Sequence, residues 1–258
     1  MREMISRGRT SRLFVGLFGI ALVVLVTALL FQVRLSRGNR YHDQGHTYLQ
    51  RGEYQRAIEA YDKAIGLGAN LAIAYANRGY AYDSLGNYAQ AVQDYTKALE
   101  LDSELAIVYN NRGFAYYRME DYQRAVDDYS KAVELDPGYA VAYNNRGSAY
   151  SELNEFAQAA EDFSKAIELD PSLVDAYGNR ARAYDNLGKL QEAIRDYSKA
   201  IELDPDRAVI YYNRAFLYLK SGQREKAIDD FRAVVKYSGK DDVMTFIADN
   251  QLQLLGAK

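Results

Sequence analysis

A tyrosine returns every 34 residues along this chain, at Tyr41, Tyr75, Tyr109, Tyr143, Tyr177 and Tyr211. A second returns seven residues after each, at Tyr48, Tyr82, Tyr116, Tyr150, Tyr184 and Tyr218. In the same register, Ala57, Ala91, Ala125, Ala159, Ala193 and Ala227 share one slot. Ala64, Ala98, Ala132, Ala166 and Ala200 share another, with Val234 in the sixth place. The only three prolines, Pro137, Pro171 and Pro205, fall in a single slot. Self-similarity at a fixed period of this length marks one supersecondary unit stacked on copies of itself, because a single unit cannot bury its own apolar face. The 258 residues are therefore read as one array, not as unrelated domains.

Each repeat reads as two helices. Tyr143, Gly147 and Tyr150 lie at i, i+4 and i+7, one face of a first helix. Asn154 follows, in a slot that holds Gly52, Gly86, Gly188 and Gly222 in other repeats, the signal of a turn. Phe156, Ala159, Ala160, Phe163, Ala166 and Ile167 then mark the inner face of a second helix. Asp170-Pro171 ends it, because proline cannot continue a helix and restricts the residue before it. Small residues at Gly147, Ala159 and Ala166 let the two helices approach closely.

With these aromatic, Gly, Ala and Pro slots in this order, residues 38–241 resemble the tetratricopeptide repeat family. The departures are Ala69 and Ser103 at the Pro slot, Ala181 and Ala215 at the Gly slot, and Val234 at the second Ala slot. The repeats are 38–71, 72–105, 106–139, 140–173, 174–207 and 208–241. A terminal repeat must cover an exposed apolar end. Val243, Phe246, Ile247 and Leu254 form a stripe suited to that role, so residues 242–258 are expected to be a capping helix and tail. The fold class is all-α: a right-handed α-solenoid of six helix-turn-helix repeats with a C-terminal capping helix, preceded by one transmembrane helix.

That transmembrane helix is read at residues 13–33, behind a basic tail at 1–12. The run is apolar except for Thr27 and Gln32. It is about 31 Å long at roughly 1.5 Å per residue, a match to a bilayer core. Val26-Thr27-Ala28 offers a small-residue cleavage site after Ala28. The apolar run continues through Leu29, Leu30, Phe31 and Val33, which favours a retained anchor. Arg2, Arg7, Arg9 and Arg12 precede the run, and Arg34, Arg37 and Arg40 follow it. This slight excess places the N-terminus in the cytoplasm and the repeats outside it, in a periplasm-like compartment. Cytoplasm-facing repeats are the alternative. The absence of Cys fits an oxidising compartment, and the absence of any Asn-x-Ser/Thr site fits a non-glycosylating one.

Composition closes off most chemistry. With no Cys and two His, there is no thiolate nucleophile and little room for metal or acid–base work. No phosphate loop or nucleophile–base pair is present, so neither an enzyme nor a cofactor is expected. Beyond residue 40 the chain holds 25 basic and 34 acidic residues, a balance that disfavours nucleic acid as a partner.

Three sets of residues remain as site candidates. Arg78, Arg112, Arg146, Arg180 and Arg214 each precede, by sixteen residues, Asp94, Asp128, Asp162, Asp196 and Asp230. The first repeat has Gln44 and Ala60 there. That joint absence implies an ion pair within a repeat, against the alternative of an Arg row reading an acidic ligand. His42 and His46 stand at i, i+4, two metal-ligand types with no third ligand in view, so no metal is expected. The last set is the slot before Arg: Asn77, Asn111, Asn145, Asn179 and Asn213, with Asp43 in the first repeat.

In tetratricopeptide arrays first helices line the concave groove, so the resemblance turns the Asn slot and the slot three residues on into that groove. The second slot holds His46, Tyr80, Phe114, Ser148, Arg182 and Phe216. Each carboxamide can both donate to and accept from a peptide group, and the row resembles the asparagine ladder in the superhelical repeats of O-GlcNAc transferase. The alternative is that Asn satisfies only local groups. The groove is thus assigned to Asn77, Asn111, Asn145, Asn179, Asn213, Tyr80, Phe114 and Phe216. The resulting expectation is a membrane-anchored scaffold that holds a segment of a client protein, its soluble part monomeric, in assembly or localisation of a complex. A structural, self-associating scaffold without a peptide client is the alternative.

Overall fold

The computed structural model describes residues 2–239 and 242–257, with side chains from residue 22 onward. The side chains of the expected basic tail and of residues 13–21 lie outside the described residues. The chain forms two compact bodies, Met1–Ser103 and Glu104–Lys258. Thirteen helices and no strand occur among the described residues.

The N-terminal body holds α1 (Arg2–Gln50), α2 (Tyr54–Gly66), α3 (Leu71–Ser84) and α4 (Tyr88–Leu101). α1 pairs with α2 and α3 with α4, and α2 packs on α3. The C-terminal body holds the pairs α5 (Ala106–Arg118) with α6 (Tyr122–Leu135) and α7 (Ala140–Glu152) with α8 (Phe156–Leu169). It continues with α9 (Val174–Asn186) and α10 (Leu190–Leu203), then α11 (Ala208–Lys220) and α12 (Arg224–Tyr237). Within this body each second helix packs on the next first helix, and α13 (Val243–Leu254) covers α12. This is solenoid construction, one helical hairpin stacked on the next.

One packing detail repeats in the first four pairs. A second-helix ring, Tyr61, Tyr95, Tyr129 or Phe163, is buried directly over Gly45, Gly79, Gly113 or Gly147 of the first helix. A Cβ at Gly147 would lie 2.8 Å from Phe163 and 3.1 Å from the Ala159 carbonyl. Glycine is the residue that lets ring and helix meet at this distance. The deepest rings are therefore on second helices, whereas most first-helix tyrosines are half-buried. The turn within each pair needs one residue at positive φ. Gly52, Gly86, Gly188 and Gly222 supply it without strain, and Asn154 (62°) and Glu120 (61°) supply it at a cost of about 1–2 kcal/mol for a residue with a Cβ.

Two expectations change. The apolar segment does not end before the repeats begin: α1 runs unbroken from Arg2 to Gln50. No proline interrupts residues 34–40. Gly38 is buried where a Cβ would meet Ala69 at 2.6 Å, and Arg34 Nη2 donates to the Gly66 carbonyl at 2.8 Å. The connecting turns of the helix are thus already part of the first repeat's packing.

The other change concerns α13. Val243, Phe246 and Leu254, expected to face inward, are 71%, 66% and 78% exposed. The covering face is Met244, Thr245, Ala248, Leu252 and Leu255. Both stripes have helical spacing, so periodicity does not choose between them. Ala248 permits close approach, and the Thr245 hydroxyl donates to the Gly239 carbonyl at 2.9 Å, which fixes the rotation of the helix.

Candidate functional site

The first helices are locked by the expected ion pairs. Arg78, Arg112, Arg146, Arg180 and Arg214 each donate Nε and Nη2 to the two oxygens of the Asp sixteen residues on, at 2.7–2.8 Å. All five carboxylates are buried. The third prong, Nη1, reaches back to the preceding second helix: Arg146 to Ser130 at 3.2 Å, Arg180 to Ser164 at 3.0 Å and Arg214 to Ser198 at 2.8 Å. The guanidinium carbons also lie over first-helix rings, with Arg146 5.5 Å from the Tyr143 centroid and 5.9 Å from that of Tyr150. These arginines commit their donors internally, which removes the reading of a ligand-binding Arg row.

With the first helices fixed, the outward slots form a face. Positions i, i+4 and i+7 of each first helix share it. In the C-terminal body these are Ile107, Asn111 and Phe114; Val141, Asn145 and Ser148; Asp175, Asn179 and Arg182; and Val209, Asn213 and Phe216. The asparagines are half-buried. Asn145 Nδ2 donates to Asn110 Oδ1 at 3.0 Å, Asn179 Nδ2 to Asn144 Oδ1 at 3.2 Å, and Asn110 Nδ2 to Asn111 Oδ1 at 3.3 Å. The carboxamides therefore strap adjacent repeats together, a role beyond the local backbone. Each of Asn145 and Asn179 keeps a second N–H and its own oxygen for a further partner.

The strap stops at Gly178, which stands where repeats 3 and 4 have Asn110 and Asn144. Asn213 instead lies beside the Tyr197 hydroxyl, which burial pushes up to about 12. A cavity of about 210 Å³ opens there, lined by Gly178, Asn179, Arg182, Tyr197 and Asn213 and edged by the Asp175–Arg207 ion pair at 2.6 Å. A second cavity, of about 190 Å³, is lined by Phe114, Tyr117, Tyr129, Asn145 and Ser148. It opens where Ser148 replaces the ring that this slot carries in repeats 3 and 6. Phe216 is less available, packed edge-on against Tyr212 and Phe231. In the N-terminal body, Asn77 is half-buried, and Tyr80 (45%) and Ile73 (44%) are exposed on the corresponding face.

Ile107, Val141 and Val209, exposed at 59%, 44% and 41%, belong to this face and were not among the expected site residues. Their signal was present: an apolar residue in one slot of repeats 2, 3, 4 and 6, four before each Asn. Apolar residues on a helix are normally assigned to the core, which concealed them. His42 is turned inward, edge-on to the Tyr61 ring at 5.6 Å, while His46 is exposed. No group of three or more His, Asp or Glu able to hold a metal ion occurs among the described residues.

A face of carboxamides, exposed β-branched side chains and two side-chain-sized cavities suits an extended polypeptide. Carboxamides can both donate to and accept from peptide units, and cavities of this size can hold single side chains. The aromatic cavity suits an apolar side chain, and the one beside Arg182 suits an acidic or amide group.

Models of the tetratricopeptide repeat match residues 72–105, 106–139 and 140–173, and also 163–195 and 208–241. A TPR repeat model matches residues 45–86 and 181–222. Among solved structures, the chain is similar to YrrB, described as a TPR protein with an unusual peptide-binding site. The identity is 28% and the TM-score 0.62, over 75% of this chain and 99% of that one. The MamA protein is similar at 28% identity and a TM-score of 0.61, over 67% of this chain and 94% of that one. The pilF protein of Pseudomonas aeruginosa, at 24% identity and a TM-score of 0.70 over 84% of this chain and 99% of that one, shares the fold. Among curated proteins, none matches the chain.

Proposed function

The chain belongs to the tetratricopeptide repeat family, and from that premise we propose that it is a membrane-anchored adaptor whose first-helix face holds an extended segment of a client protein. The observation that carries this reading is the pair of cavities at Ser148 and Gly178. Both lie on the Asn-lined face, and both arise where a bulky repeat residue is replaced by a small one. The peptide-binding site named for YrrB supports the same class of ligand. The anchor is α1, which holds, in its described part, the one helix long and apolar enough to cross a membrane, Leu22–Gln50. Its apolar residues from Leu22 to Val33 are exposed. The repeats face away from the cytoplasm in this reading, and protease added outside spheroplasts should remove them. The role is assembly or localisation of a membrane complex, without catalysis.

The test fills the cavities with residues the repeats already use. S148F restores the ring of repeats 3 and 6, and G178N restores the Asn of repeats 3 and 4, so both variants should keep their helicity. A photo-crosslinker at Arg182 in native membranes identifies the client segment, which is then bound as a synthetic peptide. The double variant should bind it at least about tenfold more weakly, roughly 1.4 kcal/mol. Unchanged binding would move the interface off this face.

A second reading, association of copies, draws on the outward stripe of α13. Light scattering of the detergent-solubilised chain decides it: the mass of a single chain rejects self-association.

A further inference from the structure

The first-helix face of the C-terminal body carries its chemistry unevenly. At one place it is apolar: the cavity of about 190 Å³ is walled by Phe114, Tyr117 and Tyr129, with Asn145 and Ser148 beside them. The Tyr117 hydroxyl is bonded to Glu152 Oε1 at 3.3 Å, so this ring offers carbon and not a free donor. The space is smaller than the roughly 300–1,000 Å³ of a small-molecule site and suits one side chain.

One repeat on, in the slot of Ser148, stands Arg182. It is the one cation in the slots of this face, it is exposed, and it has no acidic partner among the described residues. The one acid in those slots, Asp175, is taken by Arg207 at 2.6 Å. Burial and Glu152 push the Tyr117 hydroxyl up, and the Arg182 charge opposes them, so that charge is felt at the edge of the aromatic cavity. The spacing follows from helix packing. First helices α5, α7 and α9 touch in succession, and packed helices stand about 8–10 Å apart. The cavity lies between α5 and α7, half a step before Ser148, and Arg182 is a full step after it. That span is about 12–15 Å, or about four residues of extended chain at roughly 3.3 Å each.

We propose that this face selects a client segment bearing an apolar side chain and, about four residues away, a side-chain carboxylate, the first seated in the cavity at Ser148 and the second paired with Arg182. This deepens, and rests on, the reading of the first-helix face as a client site. Asn145 and Asn179 lie on the same two helices as Ser148 and Arg182, and each keeps a donor and an acceptor for the peptide units between the two side chains. A lone guanidinium matches one carboxylate, whereas a phosphate would bring more charge than it neutralises. Beyond residue 40 the chain holds 25 basic and 34 acidic residues, so a carboxylate placed elsewhere on the segment meets repulsion. Position thereby becomes specificity.

The test uses the full chain in detergent and fluorescently labelled, C-terminally amidated peptides of Ser, Thr and Ala. Each carries one Leu and one Glu, in either order, at separations from one to about eight residues. Anisotropy should show tightest binding at a separation of about four in one of the two orders. R182Q should remove the preference for Glu over Gln, about fivefold for an exposed ion pair, and leave the preference for Leu over Ala. S148F should do the reverse, removing a preference of about tenfold for Leu. R182E, at an exposed position, should come to prefer Lys where Glu was preferred. Peptides that lose binding with S148F and G178N together, yet bind alike with Glu or Gln or at every separation, overturn the proposal and leave the client face standing. Binding indifferent to S148F with G178N overturns both. No measurable binding of any Leu–Glu peptide overturns the proposal, while capture of the native client still decides the face. A peptide without Glu that binds as tightly through a free C-terminal carboxylate overturns the side-chain assignment.

Discussion

The buried pairs of Arg78, Arg146, Arg180 and Arg214 each hold three helices at one point: their own two and the second helix of the preceding repeat. Burial pushes the Asp128, Asp162 and Asp230 carboxyls up, against the partner guanidinium that holds them down. Desolvation thus offsets much of the attraction, and the pair fixes geometry more than it adds stability. Losing one member is different, because a charge is then left buried alone. D162A should lower the unfolding free energy by about 3–5 kcal/mol in urea titration. R146Q with D162A, the combination native to repeat 1, should cost clearly less than the two single changes summed. Additive losses would mean the pair is not coupled. The within-repeat bond was legible because the first repeat lacks both partners together. The backward bond was not, because its acceptor is Asp62 for Arg78 and Ser130, Ser164 or Ser198 for later repeats. Burial also pushes the Tyr61 and Tyr197 hydroxyls up to about 12 and raises that of Tyr95. A raised native value favours the fold while the group is protonated. That contribution is complete below pH 10, the ordinary value, and is lost as pH rises toward 12. Absorbance titration should show most tyrosines ionising near pH 10 and a buried set ionising only as the fold opens. A single transition for all of them would contradict the burial.

At the scale of the helix, period and small-residue slots announce the hairpins, because close approach leaves few choices at the contact. They are weaker at the end of the array, where α13 packs on α12 and, less extensively, on α11. α13 carries two apolar stripes, and only packing selects Ala248 and Leu252 as the inner one. Leu252, 5% exposed, should cost about 2–5 kcal/mol on truncation to alanine. F246S, at a residue 66% exposed, should stay within about 0.5 kcal/mol in the monomeric chain. The reverse order in thermal unfolding would restore the orientation that periodicity suggested. The candidate site was legible in the same uneven way. Its Asn row recurs and is read directly. Its cavities exist because Ser148 and Gly178 break the pattern, and an interrupted slot becomes informative only once its neighbours are placed in space.

At the scale of the whole chain, the unbroken α1 makes the boundary between the apolar segment and the repeats a physical question. Leu22 to Val33 expose apolar side chains along the helix, which water does not tolerate as a contiguous surface. From Gly38 onward the same helix is packed into the first repeat. Residues 34–37 are intermediate: Arg34 bonds the Gly66 carbonyl, yet Ser36 and Arg37 are exposed. Removing residues 1–33 should therefore give a soluble helical protein with every repeat contact intact. Removing residues 1–37 should give one as soluble, but less stable by about 0.5–1.5 kcal/mol, the worth of one hydrogen bond. Paired urea titrations of the two fragments measure the difference, and circular dichroism checks that both remain helical. An insoluble or unfolded 34–258 fragment would show that the apolar segment stabilises the first repeat. Equal stability of the two fragments would place the boundary at Gly38 and leave Arg34 free to act at the membrane surface.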